Sequence, residues 1–354
     1  MKYSIIVPVY NRPDEVNELL DSLTRQTFTD FEVIIVEDGS TLDCHSVAAS
    51  YLGRLPLHYY EKPNSGPGQS RNYGAEHARG DFLIVLDSDV VLPEGYLAAT
   101  DSELQASPCV AWGGPDAAHE SFTPVQKAIS YSMTSFFATG GIRGSSARTG
   151  TAKPALDKFF PRSFNMGIRR DVYLQLGGFS KMRFGEDIDF SYRIVEAGYQ
   201  PRLFPSAWVW HKRRTDFRKF FRQVYNSGIA RINLEKRHPG TLKLVHLLPT
   251  VFTVGVATLF LLFLCGLCLF VSDNMSSAAG FVLCELSLLP VLLYSALIFA
   301  DASLKNKSIR VGLLAVPAAF TQLMGYGTGF IVSWWKRCVL GQDEFQAFEK
   351  TFYK

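Results

Sequence analysis

Paired acidic residues mark two places in this 354-residue chain where chemistry could be done. Asp87-Ser88-Asp89 follows the apolar run Phe82 to Leu86 and precedes a turn from Val90 to Gly95. Two carboxylates two residues apart can hold one divalent cation against a diphosphate. Hard oxygen ligands suit Mg²⁺ or Mn²⁺, which keep waters and bind substrate phosphates. The same triplet also occurs in ordinary surface turns, and both readings stand at this point. Glu186-Asp187 is the second acidic pair. Adjacent acids raise one another's pKa, which suits a general base working near neutral pH. Acids are equally favoured at a helix N-terminus by the helix dipole, and Phe190, Ile194 and Val195 continue such a helix. His211 follows Trp208-Val209-Trp210. Imidazole is an acceptable ligand for Mn²⁺, and a histidine among aromatics is otherwise a satisfied structural residue. Trp112-Gly113-Gly114-Pro115 could shape a sugar pocket, because glycine lets the backbone approach a ligand closely. Asn165 and the Gly177-Gly178 turn are placed at its border.

The elements that must position these residues read as alternating strand and helix. Residues 3–9 form a buried strand, and Val16, Leu19, Leu20 and Leu23 recur at helical spacing within 13–26. Phe31 to Val36 is a second strand, Leu57 to Tyr60 a short third, 68–79 a helix and Phe82 to Leu86 another buried strand. Near-continuous apolar strands alternating with helices predict an α/β fold, a mostly parallel sheet with helices on both faces. Ligands bind such sheets beyond the carboxyl ends of strands. Pro8 to Asn11, Glu37 to Ser40 and Asp87 to Asp89 fall at those ends.

The last third has a different character. The net charge is only +3, yet most of the charged residues lie before about residue 243. Residues 244–271, 280–300 and 311–335 are apolar, each long enough for a hydrocarbon core that takes roughly 20 helical residues. Trp334 and Trp335 followed by Lys336 and Arg337 resemble an interfacial belt. Residues 216–243 carry Arg and Lys interleaved with Phe217, Phe220, Phe221, Val224 and Ile229. They predict a basic amphipathic helix lying on anionic membrane lipids; no nucleic-acid motif accompanies the charge. Lys305, Lys307 and Arg310 place the second loop inside by the positive-inside rule. Three full spans would then put Lys336, Arg337 and the 336–354 tail outside, against the same rule. Either the rule fails there or one segment only dips into the membrane. Glu285 weakens the middle segment. The start, cut by Pro8, Asn11 and Arg12, does not read as a signal peptide, so the first module is expected in the cytoplasm. Cys265 and Cys268 have metal or redox spacing without a second Cys or His pair, and with Cys284 they read as small hydrophobes. Cys44, Cys109 and Cys338 need no disulfide.

Taken in order, the motifs resemble those of family 2 glycosyltransferases of the GT-A fold with C-terminal transmembrane helices. They are Ser4-Ile-Ile-Val-Pro-Val-Tyr-Asn11, Val36-Glu-Asp-Gly-Ser40, Arg71-Asn-Tyr-Gly-Ala75, Ala78 through Asp89, Phe164-Asn-Met-Gly-Ile-Arg-Arg170, Gly177-Gly-Phe179 and Gly185-Glu-Asp-Ile-Asp-Phe190. The resemblance covers residues 1–215. It implies a UDP-, GDP- or dTDP-sugar donor and a divalent metal. Pro8, Val9, Tyr10 and Asn11 would line the base pocket, and Asp38 would bind base or ribose. Arg71 would face the diphosphate or base side, and Asp87 and Asp89, with Ser88 between them, would hold the ribose and metal-bound diphosphate. Trp112, Gly113 and Asn165 keep the sugar-side places already read from the residues. Asp87, Asp89 and His211 would hold the metal, and Asp187, with Glu186 next, would be the general base of an inverting transfer. Processive synthases of the family carry Gln-x-x-Arg-Trp after the base. Here Gln223-Val-Tyr-Asn226-Ser227 does not match, so single transfer to a lipid-linked or membrane-proximal acceptor at a bacterial inner membrane is the expectation. A processive synthase and a catalytically silent membrane scaffold are the rival readings.

Overall fold

The computed structural model describes residues 1–117, 121–139, 159–271 and 277–344. Two compact units are present: of the described residues, 1–117, 159–212 and 344 belong to one, and 121–139, 213–271 and 277–343 to the other.

The first unit opens with β1 (Tyr3–Val9), α1 (Pro13–Thr24), β2 (Phe31–Asp38), α2 (His45–Ala49), β3 (Leu57–Lys62), α3 (Pro67–His77) and β4 (Phe82–Leu86). Then come β5 (Val90–Val91), α4 (Tyr96–Ala106), β6 (Ala111–Gly113) and β7 (Asp116–Ala117). β8 (Asn165–Arg169), α7 (Arg170–Gln175), α8 (Glu186–Glu196), β9 (Arg202–Leu203) and β10 (Val209–His211) complete it. A seven-stranded sheet has the order β3-β2-β1-β4-β8-β6-β9. β1 pairs in parallel with β2 and β4, as expected of apolar strands buried on both faces. The departure is β8, which enters antiparallel between β4 and β6. Its register sets Asn165 opposite Leu86, the residue before Asp87.

Local chemistry explains the helices that carry the site. Proline opens both α1 and α3, where a missing N–H costs nothing. Val16, Leu19, Leu20 and Leu23 form the buried stripe of α1. Within α3, a Cβ at Gly74 would stand 2.6 Å from Ile6 Cγ2, so glycine is what lets this helix lie close on the sheet. Core side chains pack on both faces of the sheet: Val7, Val9, Ile35 and Trp112 on one, Ile6, Ile34, Val36 and Val85 on the other.

The second unit comprises α5 (Pro124–Thr134), α6 (Phe136–Thr139), α9 (Phe217–Arg237), α10 (Leu248–Val271), α11 (Ser277–Asn306) and α12 (Ile309–Trp334). Three helical stretches are long and apolar enough to cross a membrane: Leu244–Val271, Ser277–Asn306 and Ile309–Val339, with mean hydropathies of 2.7, 2.1 and 1.2. The middle one runs further at both ends than the apolar residues 280–300 suggested. α5 and α6, absent from the sequence reading, join this unit: Tyr131 donates to Asp301 of α11 at 2.6 Å. The helix expected to rest its apolar face on lipid instead presents it to α12, with Phe220, Val224 and Ile232 buried. Its basic residues Arg218, Lys219, Arg222, Lys236 and Arg237 are exposed.

Candidate active site

Three ligand-bearing side chains converge beyond the end of β4. Asp87, Asp89 and His211 offer atoms that all lie within 4.8 Å of one another. The two aspartates come from one turn, but His211 arrives from far along the chain. The pairing of β10 with β5 sets His211 opposite Val90 and so beside Asp89. Its Nε2 lies 3.2 Å from Asp89 Oδ1 and its Nδ1 3.9 Å from Asp116 Oδ2. Phe164 stacks on the imidazole with ring centroids 5.0 Å apart. Two carboxylates and an imidazole form a donor set that fits Mn²⁺, and the two carboxylates alone would suit Mg²⁺.

A chain of charges joins this cluster to the second acidic pair. Arg71 of α3 donates to Asp87 at 2.7 Å and to Glu186 at 3.1 Å, with its side chain 4% accessible. Its guanidinium also lies over Phe179, 5.2 Å from the ring centroid. Arg71, expected to face the diphosphate or base side, is engaged by two carboxylates and sets their separation. Glu186 and Asp187 occupy the first turn of α8, behind Gly185 in the left-handed region (φ 86°). Arg162 donates to Asp187 at 2.8 Å. The two acids, expected to rise together, diverge. Burial, then the Asp187 charge, pushes Glu186 above the usual carboxylate range. Burial also pushes Asp187 upward, but the Arg162 guanidinium outweighs it and holds Asp187 below that range.

Other expected site residues divide into surface groups and framework. Val9 is 1% accessible within the core, and Pro8 is buried beside it, so of the Pro8-Val9-Tyr10 run only Tyr10 stands partly open. Asn11 adopts φ 54°, and its Oδ1 accepts from the amides of Thr41 and Leu42 at 2.9 and 2.8 Å, latching two loops together. Asp38 is buried; it accepts from the amides of Ser65 and Gly66 and from Lys62, and so builds the loop ahead of α3. Ser88 is buried between the two aspartates. Three residues expected at a sugar pocket are buried. Trp112 is fully buried, stacked on Phe204 at 5.3 Å, and belongs to the core. Gly113 packs against Phe159 and Pro161, where a Cβ would come within 3.1–3.2 Å. Asn165 is 1% accessible, accepting from Tyr96 Oη at 2.6 Å and donating to Ala207 O at 2.8 Å. Each supports the sheet because packing and internal hydrogen bonds take up its surface.

Six residues were given no site role by the sequence reading. Arg12 contacts Asp89 at 3.0 Å and Glu15 at 3.5 Å; its signal was a cation directly after a strand end. Arg162, Phe164 and Asp116 are brought in by tertiary packing and carried no local signal. Asp189 holds Arg193, which donates to the carbonyls of Leu176 and Gly178 and so fixes the Gly177-Gly178 turn.

Comparison with known structures identifies the fold. A mannosyltransferase, PcManGT from Pyrobaculum calidifontis in complex with GDP-Man and Mn²⁺, matches with a TM-score of 0.55 at 15% identity, covering 95% of this chain and 88% of that one. The shared fold is GT-A. Residues 4–177 match the model for glycosyl transferase family 2, and this stretch is a family 2 glycosyltransferase domain. Among curated relatives, the poly(ribitol-phosphate) beta-N-acetylglucosaminyltransferase TarS of Staphylococcus aureus is 41% identical over 93 residues, 25% of this chain and 16% of TarS. An uncharacterized glycosyltransferase of Haemophilus influenzae is 31% identical over 198 residues, 54% of this chain and 62% of that one. Neither match reaches two thirds of the relative's length.

Proposed function

We propose that this chain transfers a sugar, with inversion and without processivity, from a nucleotide-sugar to a lipid-linked or membrane-proximal acceptor. The observation that carries this reading is the continuous constellation of Asp87, Asp89 and His211, tied through Arg71 to Glu186 and Asp187. It sets a cation-binding cluster beside a buried acid pair, which is the arrangement needed to bind a diphosphate leaving group and to accept an acceptor proton.

Asp87, Asp89 and His211 would hold a divalent cation, which supplies positive charge to the departing diphosphate. Asp116 and Phe164 fix the imidazole, and Arg12 holds Asp89 in place. Asp187 takes the proton from the acceptor hydroxyl. Its low proton affinity keeps it ionised and ready at neutral pH. Arg71 holds Glu186 and Asp87 at a fixed spacing, so the acid pair and the cation cluster face one bound substrate. GDP-Man and Mn²⁺ in the mannosyltransferase of the same fold support the donor class and the metal. The three apolar helices support a membrane setting, and the proposal puts the first module in the cytoplasm of a bacterial cell.

Purified protein should release nucleoside diphosphate from one of UDP-, GDP- or dTDP-sugars when Mn²⁺ and a polyprenyl-phosphate or lipid-linked sugar are supplied. Products should carry one added sugar. Longer products would establish the processive alternative, and no release with any donor, with or without metal, would establish a silent binding module.

A further inference from the structure

The second unit explains the conflict between three apolar segments and the charges that flank them. α9 and α12 run side by side in the same direction. Val224 packs on Gly325, Tyr225 on Gly329, and Gly228 on Tyr326 and Phe330. Further along, Ser333 Oγ donates to Ile229 O at 3.3 Å and Lys236 Nζ to Arg337 O at 2.6 Å. The glycines remove the side chains that would hold two backbones apart. Yet α9 is no membrane helix. Arg218, Lys219, Arg222, Lys236 and Arg237 are exposed on it, with Gln223, Asn226, Asn233 and Glu235 between. Charged groups are costly in the hydrocarbon core, so α9 stays in water or headgroups and keeps α12 beside it.

The contacts between α12 and the α10–α11 hairpin set a depth. Within the hairpin, Phe252 faces Tyr294 with ring centroids 5.2 Å apart, and Phe270 faces Phe281 at 6.2 Å. The first pair marks the base and the second the far end. α12 starts against the last turns of α11, where Gly312 meets Phe299 and Ser303. Phe320 then meets the Phe252–Tyr294 pair at 5.5 and 5.7 Å. Leu323 O accepts from Thr253 Oγ1 at 3.3 Å, and Gly327 packs on Pro249 and Thr253 at the start of α10. These contacts descend along α11 from 303 to 294 and climb along α10 from 253 to 249, with Pro317 inside the descending part. All lie at the base. Beyond Thr253, the 18 residues from Val254 to Val271 rise about 27 Å, close to the ~30 Å hydrocarbon core.

We infer that only α10 and α11 cross the bilayer, and that α12, sheathed by α9, is a shallow helix across the base of their hairpin at the membrane interface. Lys336 and Arg337 then lie on the same side as Lys305, Lys307 and Arg310. The residues between α10 and α11, Ser272-Asp273-Asn274-Met275-Ser276, contain no Lys or Arg. The positive-inside rule is satisfied throughout. Aromatic groups sit where an interface needs them. Trp334 and Trp335 are 46% and 53% exposed, and Phe136 and Phe137 are exposed beside Tyr294, whose hydroxyl donates to Phe137 O at 3.2 Å.

The exposed Cys338 allows a direct test. In the full chain with its other cysteines replaced, a membrane-impermeant maleimide is applied to sealed spheroplasts and again after the membrane is opened. Ser102→Cys, exposed on α4, reports the side of the N-terminal module, and Asn274→Cys the connection between α10 and α11. Cys338 should be modified or protected together with Ser102→Cys, and Asn274→Cys should show the opposite pattern. Cys338 behaving like Asn274→Cys would mean three crossings, and all three sites behaving alike would mean that the hairpin does not cross. Either result overturns the inference. If the cysteine-replaced chain fails to accumulate, fluorescent-protein and alkaline-phosphatase fusions after residue 354 of the unaltered chain, compared with fusions at its N-terminus, decide the same question.

Discussion

Replacing Arg71 with methionine removes the cation that two carboxylates share while keeping most of the side-chain volume. Arg71 is 4% accessible, and its partners Asp87 and Glu186 are 31% and 14% accessible. Breaking one partner out of a buried pair costs about 3–5 kcal/mol, and because Asp87 reaches solvent the lower end, about 3 kcal/mol, applies. For a unit of roughly 200 residues that corresponds to a fall in Tm of about 6–12 °C. The pH dependence has a definite sign. Burial and the Asp187 charge raise Glu186, so the folded protein keeps that proton to higher pH than the unfolded chain does. Folding therefore loses stability as pH climbs from the ordinary glutamate range towards the raised folded value. Arg71 offsets part of that loss. Without it the folded value climbs further, so the deficit of Arg71→Met is largest at neutral pH. The deficit shrinks as pH falls below the ordinary glutamate range, where Glu186 is protonated in both states. Thermal unfolding of the detergent-solubilised protein, followed by tryptophan fluorescence across this range, measures both effects. Arg71→Lys should fall between, since an ammonium cannot span both carboxylates as a guanidinium does. A change in Tm below about 2 °C, or one that is the same at acidic and neutral pH, would refute the reasoning.

Asp187→Asn should lower turnover by about 10²–10⁴-fold while donor binding, read by thermal shift, persists; full turnover would remove Asp187 from the role of base. Because Arg162 holds Asp187 low, Arg162→Met should move the acidic limb of the pH–rate profile upward, towards or beyond the ordinary carboxylate range, and an unmoved limb would show that Arg162 does not control that acid. His211→Ala should weaken Mn²⁺ binding in the presence of nucleoside diphosphate by about tenfold or more, equivalent to about 1.4 kcal/mol; calorimetric titration checks this. A Cβ at Gly167 would collide with the Trp112 ring, so Gly167→Ala should destabilise the first unit by about 1–3 kcal/mol, seen as a lower Tm with the metal cluster's ligands unchanged.

Much of the site could be read from sequence because its signals are local. β1, β2 and β4 are apolar runs that end in polar triplets, and the end of a buried strand is where a parallel sheet exposes functional groups. Asp87, Asp89 and the Glu186–Asp187 pair announced themselves by type and spacing. Residues whose role depends on tertiary packing did not. Trp112 and Asn165 carry the right chemistry for a sugar site, yet stacking on Phe204 and hydrogen bonds to Tyr96 and Ala207 bury them. Arg71 was found, but its double engagement with Asp87 and Glu186 depends on helix α8 meeting α3, which no single segment encodes. The antiparallel entry of β8 and the attachment of α5 to α11 are likewise long-range pairings. The apolar stripe of α9 was visible from its period, and only the packing of Gly228, Gly325 and Gly329 showed that it faces a helix.

The three-residue strand β10 has a consequence in time. A ribosome delivers the chain N-terminus first, and β1 to β4, including both aspartates, are complete by residue 89. The imidazole that joins them is 122 residues later (211 − 89), placed only when β10 pairs with β5 and β7. Helix α9 begins six residues further on, and the first long apolar helix follows it. The catalytic half of the protein is thus finished at nearly the moment its synthesis turns toward the membrane, and a chain cut short before that point would have the two aspartates without the third ligand.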